Sequence, residues 1–208
     1  MEFWSELLTK ASWEKLLELS KDRDLDFMVI GGWAAYLWTG VHKSKDIDII
    51  VDHDTLLRLR RAYDVEKNDG LKTYEIKLEK FDIDIYLPGY SKLALPVDEI
   101  MGAAALVKGI KVPKTEVLLI LKQGAEIERR GSVKGKKDAI DMLTLLIHSD
   151  LDLEEYRRLL ERHGMGEFVD QLTAVVRDFS DRDIPHLAIS FTAYKKWKRD
   201  ILAKLKRL

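Results

Sequence analysis

Hydrophobic residues in the first half of the chain follow two different periods. Before residue 20 they recur at the three- and four-residue spacing of a helix with one buried face. Later segments are short apolar or alternating runs bounded by glycine, proline or charged residues, which is typical of β-strands. The predicted elements are a helix over residues 3–19, a strand over 27–30, a helix over 33–38, a strand over 47–51, a helix over 56–63, a hairpin over 71–78 and 81–87, and a second β pair over 103–107 and 110–112.

The second half of the chain shows only helical spacing. Helices are predicted over residues 115–127, 138–147, 153–163, 165–179 and 187–205. We therefore predict an α/β (α+β) protein of two domains, with a mixed β-sheet flanked by helices in residues 1–112 and an all-helical domain in residues 113–208.

Composition narrows the class of protein. The 208 residues include 35 Lys and Arg against 36 Asp and Glu, a net charge of -1, so any electrostatic function depends on local patches. Cysteine is absent, which excludes disulfides and thiol chemistry. No apolar run approaches the length of a membrane span, and the first residues, MEFWSELLTK, lack a signal-peptide pattern. We expect a soluble cytoplasmic protein with no membrane partner.

Two acidic residues lie on one face of the strand that contains residues 47–51. Asp46 and Asp48 are two residues apart, so they project to the same side while Ile47 and Ile49 face the core. Two adjacent carboxylates repel each other unless a cation lies between them. A hard cation such as Mg²⁺ or Mn²⁺, which prefers oxygen ligands, suits this pattern, whereas a solvated edge strand explains it without function.

The same alternation recurs at Phe81-Asp82-Ile83-Asp84-Ile85. If the two acidic strands are neighbours, three or four carboxylates converge, which is enough for one or two divalent ions. Asp82 and Asp84 share a face, so the alternation leaves either of them as the third carboxylate.

A glycine pair precedes the acidic strand. Gly31 and Gly32 stand between a predicted strand and a predicted helix, where backbone amides bind phosphate oxygens without interference from Cβ atoms. An ordinary turn is the alternative reading of the pair. The chain contains neither GxxxxGK[ST] nor GxGxxG, which excludes a P-loop and disfavours a dinucleotide fold.

The order Ile30-Gly31-Gly32, a helix, and then Asp46-Ile47-Asp48 resembles the nucleotidyltransferase superfamily typified by DNA polymerase beta. The more similar subgroup is the AbiEii-like group, which includes toxins of toxin-antitoxin pairs. That group commonly has Arg-x-Thr-x-Asp before the acid pair. This chain keeps a hydroxyl at Ser44 but has His42 in place of the arginine.

The resemblance implies transfer of a nucleoside monophosphate from an NTP to an acceptor hydroxyl, with Mg²⁺ or Mn²⁺ and release of pyrophosphate. Asp46, Asp48 and Asp84 are then the metal-binding catalytic residues. The implied triphosphate contacts are Gly31, Gly32 and Ser44.

The resemblance extends into the helical half, through Lys122-Gln123-Gly124-Ala125, Arg129-Arg130 and Lys137-Asp138-Ala139-Ile140-Asp141. It implies that Lys122, Lys137 and Asp138 bind the nucleotide. The basic segment 129–137 is predicted to be a linker, either a mobile lid over the phosphates or a solvated loop. Alternatively, Asp138 and Asp141 are acids at the start of a helix, where they favour its dipole.

Acceptor and partners are open at this stage. The basic segments 129–137 and 194–208 are candidate RNA contacts, although the second is equally consistent with a terminal helix whose lysines extend over the core. A protein partner is also compatible with the sequence. Two other functions remain: a catalytically silent nucleotide- or partner-binding protein of a toxin-antitoxin type system, and a metal-dependent glycosyltransferase.

Overall fold

The computed structural model describes residues 4–208, in two compact units that divide between Lys114 and Thr115. The sequence places this boundary after residue 112. The first unit contains a mixed β-sheet with helices and the second is helical, which confirms the predicted mixed α/β class. In the part of the chain that the structure describes, none of the helices has the length and apolarity needed to span a bilayer.

The first unit is built from four helices and seven strands within the described residues. The helices are α1 (Glu6–Lys21), α2 (Gly31–Thr39), α3 (His53–Ala62) and α4 (Val97–Gly102). The strands are β1 (Phe27–Ile30), β2 (Ile47–Val51), β3 (Glu66–Asn68), β4 (Thr73–Lys77), β5 (Asp82–Tyr86), β6 (Ala104–Val107) and β7 (Ile110–Pro113).

Five strands form one sheet in the order β1-β2-β5-β4-β3. The pair β2 and β5 is parallel, whereas the other neighbouring pairs are antiparallel. Ile47, Ile49, Ile83 and Ile85 are buried on one face, as the alternating patterns of both strands predict. The acidic residues between them therefore share the opposite face.

Packing around α2 fixes the position of the glycine pair. The ring of buried Trp33 lies 5.0 Å from that of Trp13 on α1. At the other end, the Trp38 indole donates to the Pro113 carbonyl across 2.9 Å. Gly40, with φ of 70°, ends α2, because glycine adopts the left-handed conformation without a Cβ penalty.

Three local features of this unit differ from the sequence prediction. Helix α3 begins at His53 instead of residue 56, because Asp52 caps it by accepting a hydrogen bond from the Thr55 amide at 2.7 Å. Strand β3 is too short and polar to show a pattern, and it forms by pairing with β4. Helix α4 has only six residues and was likewise not predicted.

The second unit contains α5 (Thr115–Glu128), α6 (Val133–His148), α7 (Leu153–Arg162), α8 (Glu167–Asp178), a 3-10 helix (Asp181–Leu187) and α9 (Phe191–Leu205). The predicted linker over 129–137 is wrong from Val133 onward, because Ser132 caps α6 by accepting from the Gly135 amide at 3.0 Å. Gly135 permits this early start, since a Cβ there would lie 2.3 Å from the Arg129 carbonyl oxygen.

Candidate active site

A row of three carboxylates crosses the polar face of the sheet. Asp48 on β2 is the register partner of Asp84 on β5, and Asp84 is in turn the partner of Glu75 on β4. Register partners on adjacent strands project to the same face, so the three side chains lie side by side. The parallel pairing of β2 and β5 thus brings together acids that are 36 residues apart in the chain.

A second pair of acids lies one step along the same strands. Asp46 accepts a hydrogen bond from the Asp82 backbone amide at 3.3 Å, so this carboxylate links the start of β2 to β5. Lys45 lies 3.6 Å from Asp46. Asp82 is the register partner of Lys77, whereas Asp84 is flanked by acids on both neighbouring strands. The register therefore distinguishes the two aspartates, because only Asp84 stands beside Asp48.

The environment of Asp84 favours its protonated form. Burial and the neighbouring carboxylates of Asp48, Glu75, Asp46 and Asp82 raise the pKa of Asp84 to about 7. Four acidic neighbours thus act on one buried carboxyl, which is the electrostatic condition that a bound cation relieves.

The raised pKa of Asp84 predicts a pH-dependent effect of Asp84→Asn on stability. The folded-state pKa is about 7, above the unfolded value of about 4, so the folded protein loses stability as pH rises between these values. The variant lacks this loss. In EDTA, denaturant unfolding should show it stabilised by roughly 2 to 4 kcal/mol at pH 8 and nearly unchanged at pH 3, below the unfolded-state pKa. Equal stability of both proteins at pH 8 would contradict the raised pKa.

Gly31 lies directly against Asp48. The residue before it, Ile30 on β1, pairs with Asp48 on β2. Gly31 has φ of 64°, and a Cβ built there would lie 2.2 Å from Asp48 Oδ2. The glycine turn and the acidic strand are therefore in direct contact.

Gly31→Ala should consequently disturb both fold and site. The left-handed backbone and the clash with Asp48 together are expected to lower the free energy of unfolding by at least about 2 kcal/mol. Gly40→Ala is a matched control, because Gly40 has φ of 70° and open space around it. Denaturant unfolding should give the larger loss at Gly31. Equal losses would show that the contact with Asp48 carries no energy.

The first turn of α2 presents backbone amides without a side-chain cap. Its N-cap residue is Ile30, which makes no capping side-chain hydrogen bond. Gly32 is buried in that turn. Amides at a helix start carry partial positive charge and point away from the helix, so this turn has the local chemistry of an anion site beside Asp48.

Tyr86 positions the Asp48 carboxylate from the other side. Its hydroxyl donates to Asp48 Oδ1 across 3.3 Å, and it lies on β5 two residues after Asp84. Asp48 is therefore held between a tyrosine hydroxyl and the open face of a glycine.

Ser44 lies in the segment between α2 and β2 and is 8% exposed. Its carbonyl accepts from the buried Ser12 hydroxyl at 3.0 Å, which ties this segment to α1. The backbone leading to Asp46 is thereby fixed.

The acidic face offers oxygen donors of the kind that a divalent cation prefers. Among residues 4–208, no group of three or more acidic or histidine side chains is already arranged around a common metal position. The residues present nevertheless fit the ion chemically, because Asp46, Asp48 and Asp84 supply only oxygen donors. The neighbouring carboxylates raise the pKa of Asp84, and a cation would offset this repulsion.

Lys122, Lys137 and Asp138 lie in the helical unit, where they form a buried ionic cluster with Asp141. Lys122 Nζ lies 3.1 Å from Asp138 Oδ1 and 2.6 Å from Asp141 Oδ2. Lys137 Nζ lies 3.0 Å from Asp141 Oδ2. Arg129 Nε also contacts Asp138, at 2.6 Å. Each lysine and aspartate of the cluster is at most 7% exposed, so their charges are held inside the unit.

Burial and pairing oppose each other within this cluster. Burial lowers the pKa of Lys137, even though Asp141 acts to raise it. Burial alone would raise the pKa of Asp141, but Lys122 and Lys137 outweigh it and the pKa is lowered. The alternative prediction that Asp138 and Asp141 favour the dipole at a helix start is wrong, because α6 begins at Val133 and both residues lie further inside it.

The basic segment 129–137 uses most of its charge within the helical unit. Arg130 pairs with Glu126 at 2.7 Å, and Lys136 pairs with Asp183 at 2.7 Å. Arg129 and Lys137 belong to the buried cluster. The interpretation of 129–137 as a mobile lid or solvated loop does not agree with this structure, because the charges that suggested it stabilise α5, α6 and the 3-10 helix.

Sequence reasoning missed Glu75 and Tyr86. Glu75 lies between Tyr74 and Ile76, and this alternation alone places it on one face of its strand. The hairpin register with β5 was the missing signal, because only pairing shows that Glu75 stands beside Asp84. Tyr86 follows Asp84 at the same two-residue period and was open to the same argument.

Comparison with known proteins shows similarity in structure only. No protein-family model matches the chain, and no curated protein matches its sequence. The structure is similar to the crystal structure of JHP933 from Helicobacter pylori, with 18% identity, a TM-score of 0.51 and coverage of 98% of this chain and 95% of that one. A putative nucleotidyltransferase from H. pylori gives 17% identity, a TM-score of 0.51 and 98% coverage of both chains.

The antibiotic-resistance factor ANT(2'')-Ia, solved in solution, has the higher TM-score of 0.55 at 15% identity. It covers 80% of this chain and 96% of its own. The AbiEii-like subgroup stays a prediction. At the level of fold the resemblance is confirmed: this chain has the nucleotidyltransferase-like fold.

Proposed function

We propose that the protein transfers a nucleoside monophosphate from an NTP to an acceptor hydroxyl and releases pyrophosphate. The observation that carries this proposal is the alignment of Asp48 and Asp84 beside Gly31 at the start of α2. It joins an acidic face to a run of uncapped helix amides, on a fold similar to a putative nucleotidyltransferase. Both features suit a triphosphate substrate.

Asp46, Asp48 and Asp84 are the residues that would hold Mg²⁺ or Mn²⁺ in this proposal. When bound, the cation neutralises the charge of the triphosphate and of the leaving pyrophosphate. The buried face of β2 and β5 keeps the two central carboxylates in register.

The chain's own groups bind and orient the reactants. The amides of Gly31 and Gly32 and the hydroxyl of Ser44 hold triphosphate oxygens. The acceptor oxygen forms a bond to the α-phosphorus, the bond from that phosphorus to the bridging oxygen breaks, and pyrophosphate leaves with the bonding electrons. Asp84 accepts the acceptor's proton.

Lys122, Lys137 and Asp138 are predicted by resemblance to contact the nucleotide, and this stays a prediction. Their charged atoms are bonded to one another and to Asp141. We propose that these residues stabilise the helical unit, and that this role is separable from the chemistry of the acidic face.

Labelled nucleotides test the proposed reaction. The protein is incubated with each NTP, labelled at the α- or the γ-phosphate, together with Mg²⁺ and total RNA or cell lysate. We expect α-label to appear in RNA, protein or a small molecule, and γ-label to appear only in pyrophosphate. The kind of molecule labelled identifies the acceptor.

Other outcomes contradict the proposal. Transfer of the γ-label would indicate phosphoryl rather than nucleotidyl transfer. Binding of NTP without turnover would favour the silent binding protein, and transfer of a labelled sugar from a nucleotide-sugar would favour the glycosyltransferase.

A further inference from the structure

The positive charge of the chain is concentrated at its C-terminal helix. Residues 191–208 contain seven basic residues and one acid, although the whole chain has a net charge of -1. The remainder of the chain is therefore negative. Such segregation is a physical argument about electrostatic partners, since it gives one surface a sign opposite to that of the molecule.

Helix α9 separates its apolar and basic residues onto opposite faces. Tyr194, Ile201 and Leu205 are buried within the helical unit. Lys196 and Arg199 are exposed on the opposite side of the helix, and exposed Lys206 and Arg207 directly follow its last residue. We call these four residues the basic stripe. From Lys196 to Lys206 it extends about 15 Å along the helix.

The basic stripe has little internal compensation. Among residues 4–208 the structure shows no acidic partner for Lys196, Lys206 or Arg207. Arg199 lies 3.5 Å from Asp200, but both side chains are more than half exposed and solvent screens the pair. Like charges at three-residue spacing, such as Lys196 and Arg199, disfavour the helix. The stripe therefore does not stabilise the fold.

An aromatic ring lies at the N-terminal end of the same helix. Phe191 is 54% exposed, and Lys195 Nζ lies 4.8 Å from its ring centroid. An exposed aromatic ring can stack on a base, and exposed cations beside it can bind phosphates. Proteins that bind single-stranded nucleic acid combine these two features.

We propose that the basic stripe binds the phosphate backbone of single-stranded RNA, with Phe191 as a stacking surface for a base. An anionic membrane is the competing partner for a basic amphipathic helix. Membrane binding by such a helix uses its apolar face. Here that face, which consists of Tyr194, Ile201 and Leu205, is already buried within the helical unit. Phosphate contacts need only the exposed face, so RNA is favoured.

Fluorescence anisotropy with a labelled single-stranded RNA tests this surface in the full chain. The test variant combines Lys196→Gln, Arg199→Gln and Lys206→Gln. Each phosphate contact contributes about -0.7 to the slope of log K against log salt for single strands. We therefore expect binding at low salt to weaken by at least about tenfold and the slope to become shallower by about 2.

A matched control combines Lys10→Gln, Lys21→Gln and Arg158→Gln, three exposed basic residues that lie outside α9. Both variants change the net charge equally, so the control should stay within about twofold of the parent if the stripe is specific. Thermal unfolding checks that both remain folded. Equal weakening in the two variants, or no RNA binding by the parent at low salt, would overturn the proposal.

Two further measurements separate stacking from charge and RNA from lipid. Phe191→Ala should weaken RNA binding about tenfold while leaving the salt slope unchanged. An unchanged affinity would show that Phe191 is not part of the RNA-binding surface and would overturn the stacking role. Vesicles containing phosphatidylserine should not bind, and binding to them without binding to RNA would overturn the proposal. Because these are binding measurements, their outcome is independent of whether nucleotidyl transfer is found.

Discussion

Asp48→Asn should reduce the rate of nucleotidyl transfer by about 10³-fold or more. The substitution keeps the shape of the side chain and removes the charge at the centre of the acidic row, next to both Gly31 and Asp84. Binding of the cation and stabilisation of the triphosphate charge both depend on that carboxylate in the proposed reaction. Release of pyrophosphate with saturating NTP is the measurement.

Asp54→Asn is the matched control for this variant. Asp54 is an exposed acid in the first turn of α3, a few residues after Asp48. It should keep the parental rate. We expect Asp48→Asn to unfold at or above the parental temperature, because it removes one of two neighbouring like charges. Full cation-dependent activity in Asp48→Asn would show that the acidic row is not the catalytic site.

Lys122→Met should destabilise the helical unit by about 3–5 kcal/mol. The variant leaves Asp138 and Asp141 buried with one fewer cation between them, and Lys122 is the residue that contacts both. Arg129 still pairs with Asp138 and Lys137 with Asp141, but each buried aspartate retains its desolvation cost while losing part of its compensating attraction. Denaturant unfolding followed by circular dichroism measures the loss.

Lys134→Met provides the comparison, because Lys134 is exposed on the first turn of α6 near the same cluster. Its effect should lie within about 0.5 kcal/mol of zero. A similar, small effect at Lys122 would mean that the cluster is hydrated in solution, and would argue against the structural role that we propose.

The sequence predicted the glycine turn and the acidic strands of the candidate site but not every residue that lies beside them. The glycine pair and the alternating acids are local patterns, and the resemblance to the nucleotidyltransferase superfamily selected Gly31, Asp48 and Asp84 among them. The parallel pairing of β2 with β5 skips two intervening strands, and no local pattern encodes it. Glu75 was missed for a different reason: the hairpin was predicted without its register, and only the register places Glu75 beside Asp84.

In the helical half, the helices themselves were predictable and the start of α6 was not. The glycines and basic residues of segment 129–137 have the composition of a loop. Two long-range facts override it: Gly135 fits closely against the Arg129 carbonyl, and the acids Glu126, Asp183 and Asp141 neutralise the charges. Local composition contains no information about these partners.

The contact between Gly31 and Asp48 makes the two positions mutually dependent. Asp48 Oδ2 occupies the place where a side chain at position 31 would begin, so any residue larger than glycine there displaces the carboxylate or is displaced by it. Glycine is therefore required at position 31 for two reasons: its backbone is left-handed, and Asp48 fills the space that a side chain would need. Substitutions at these two positions should therefore be interpreted as a coupled pair, since the free-energy effect of one depends on the residue present at the other.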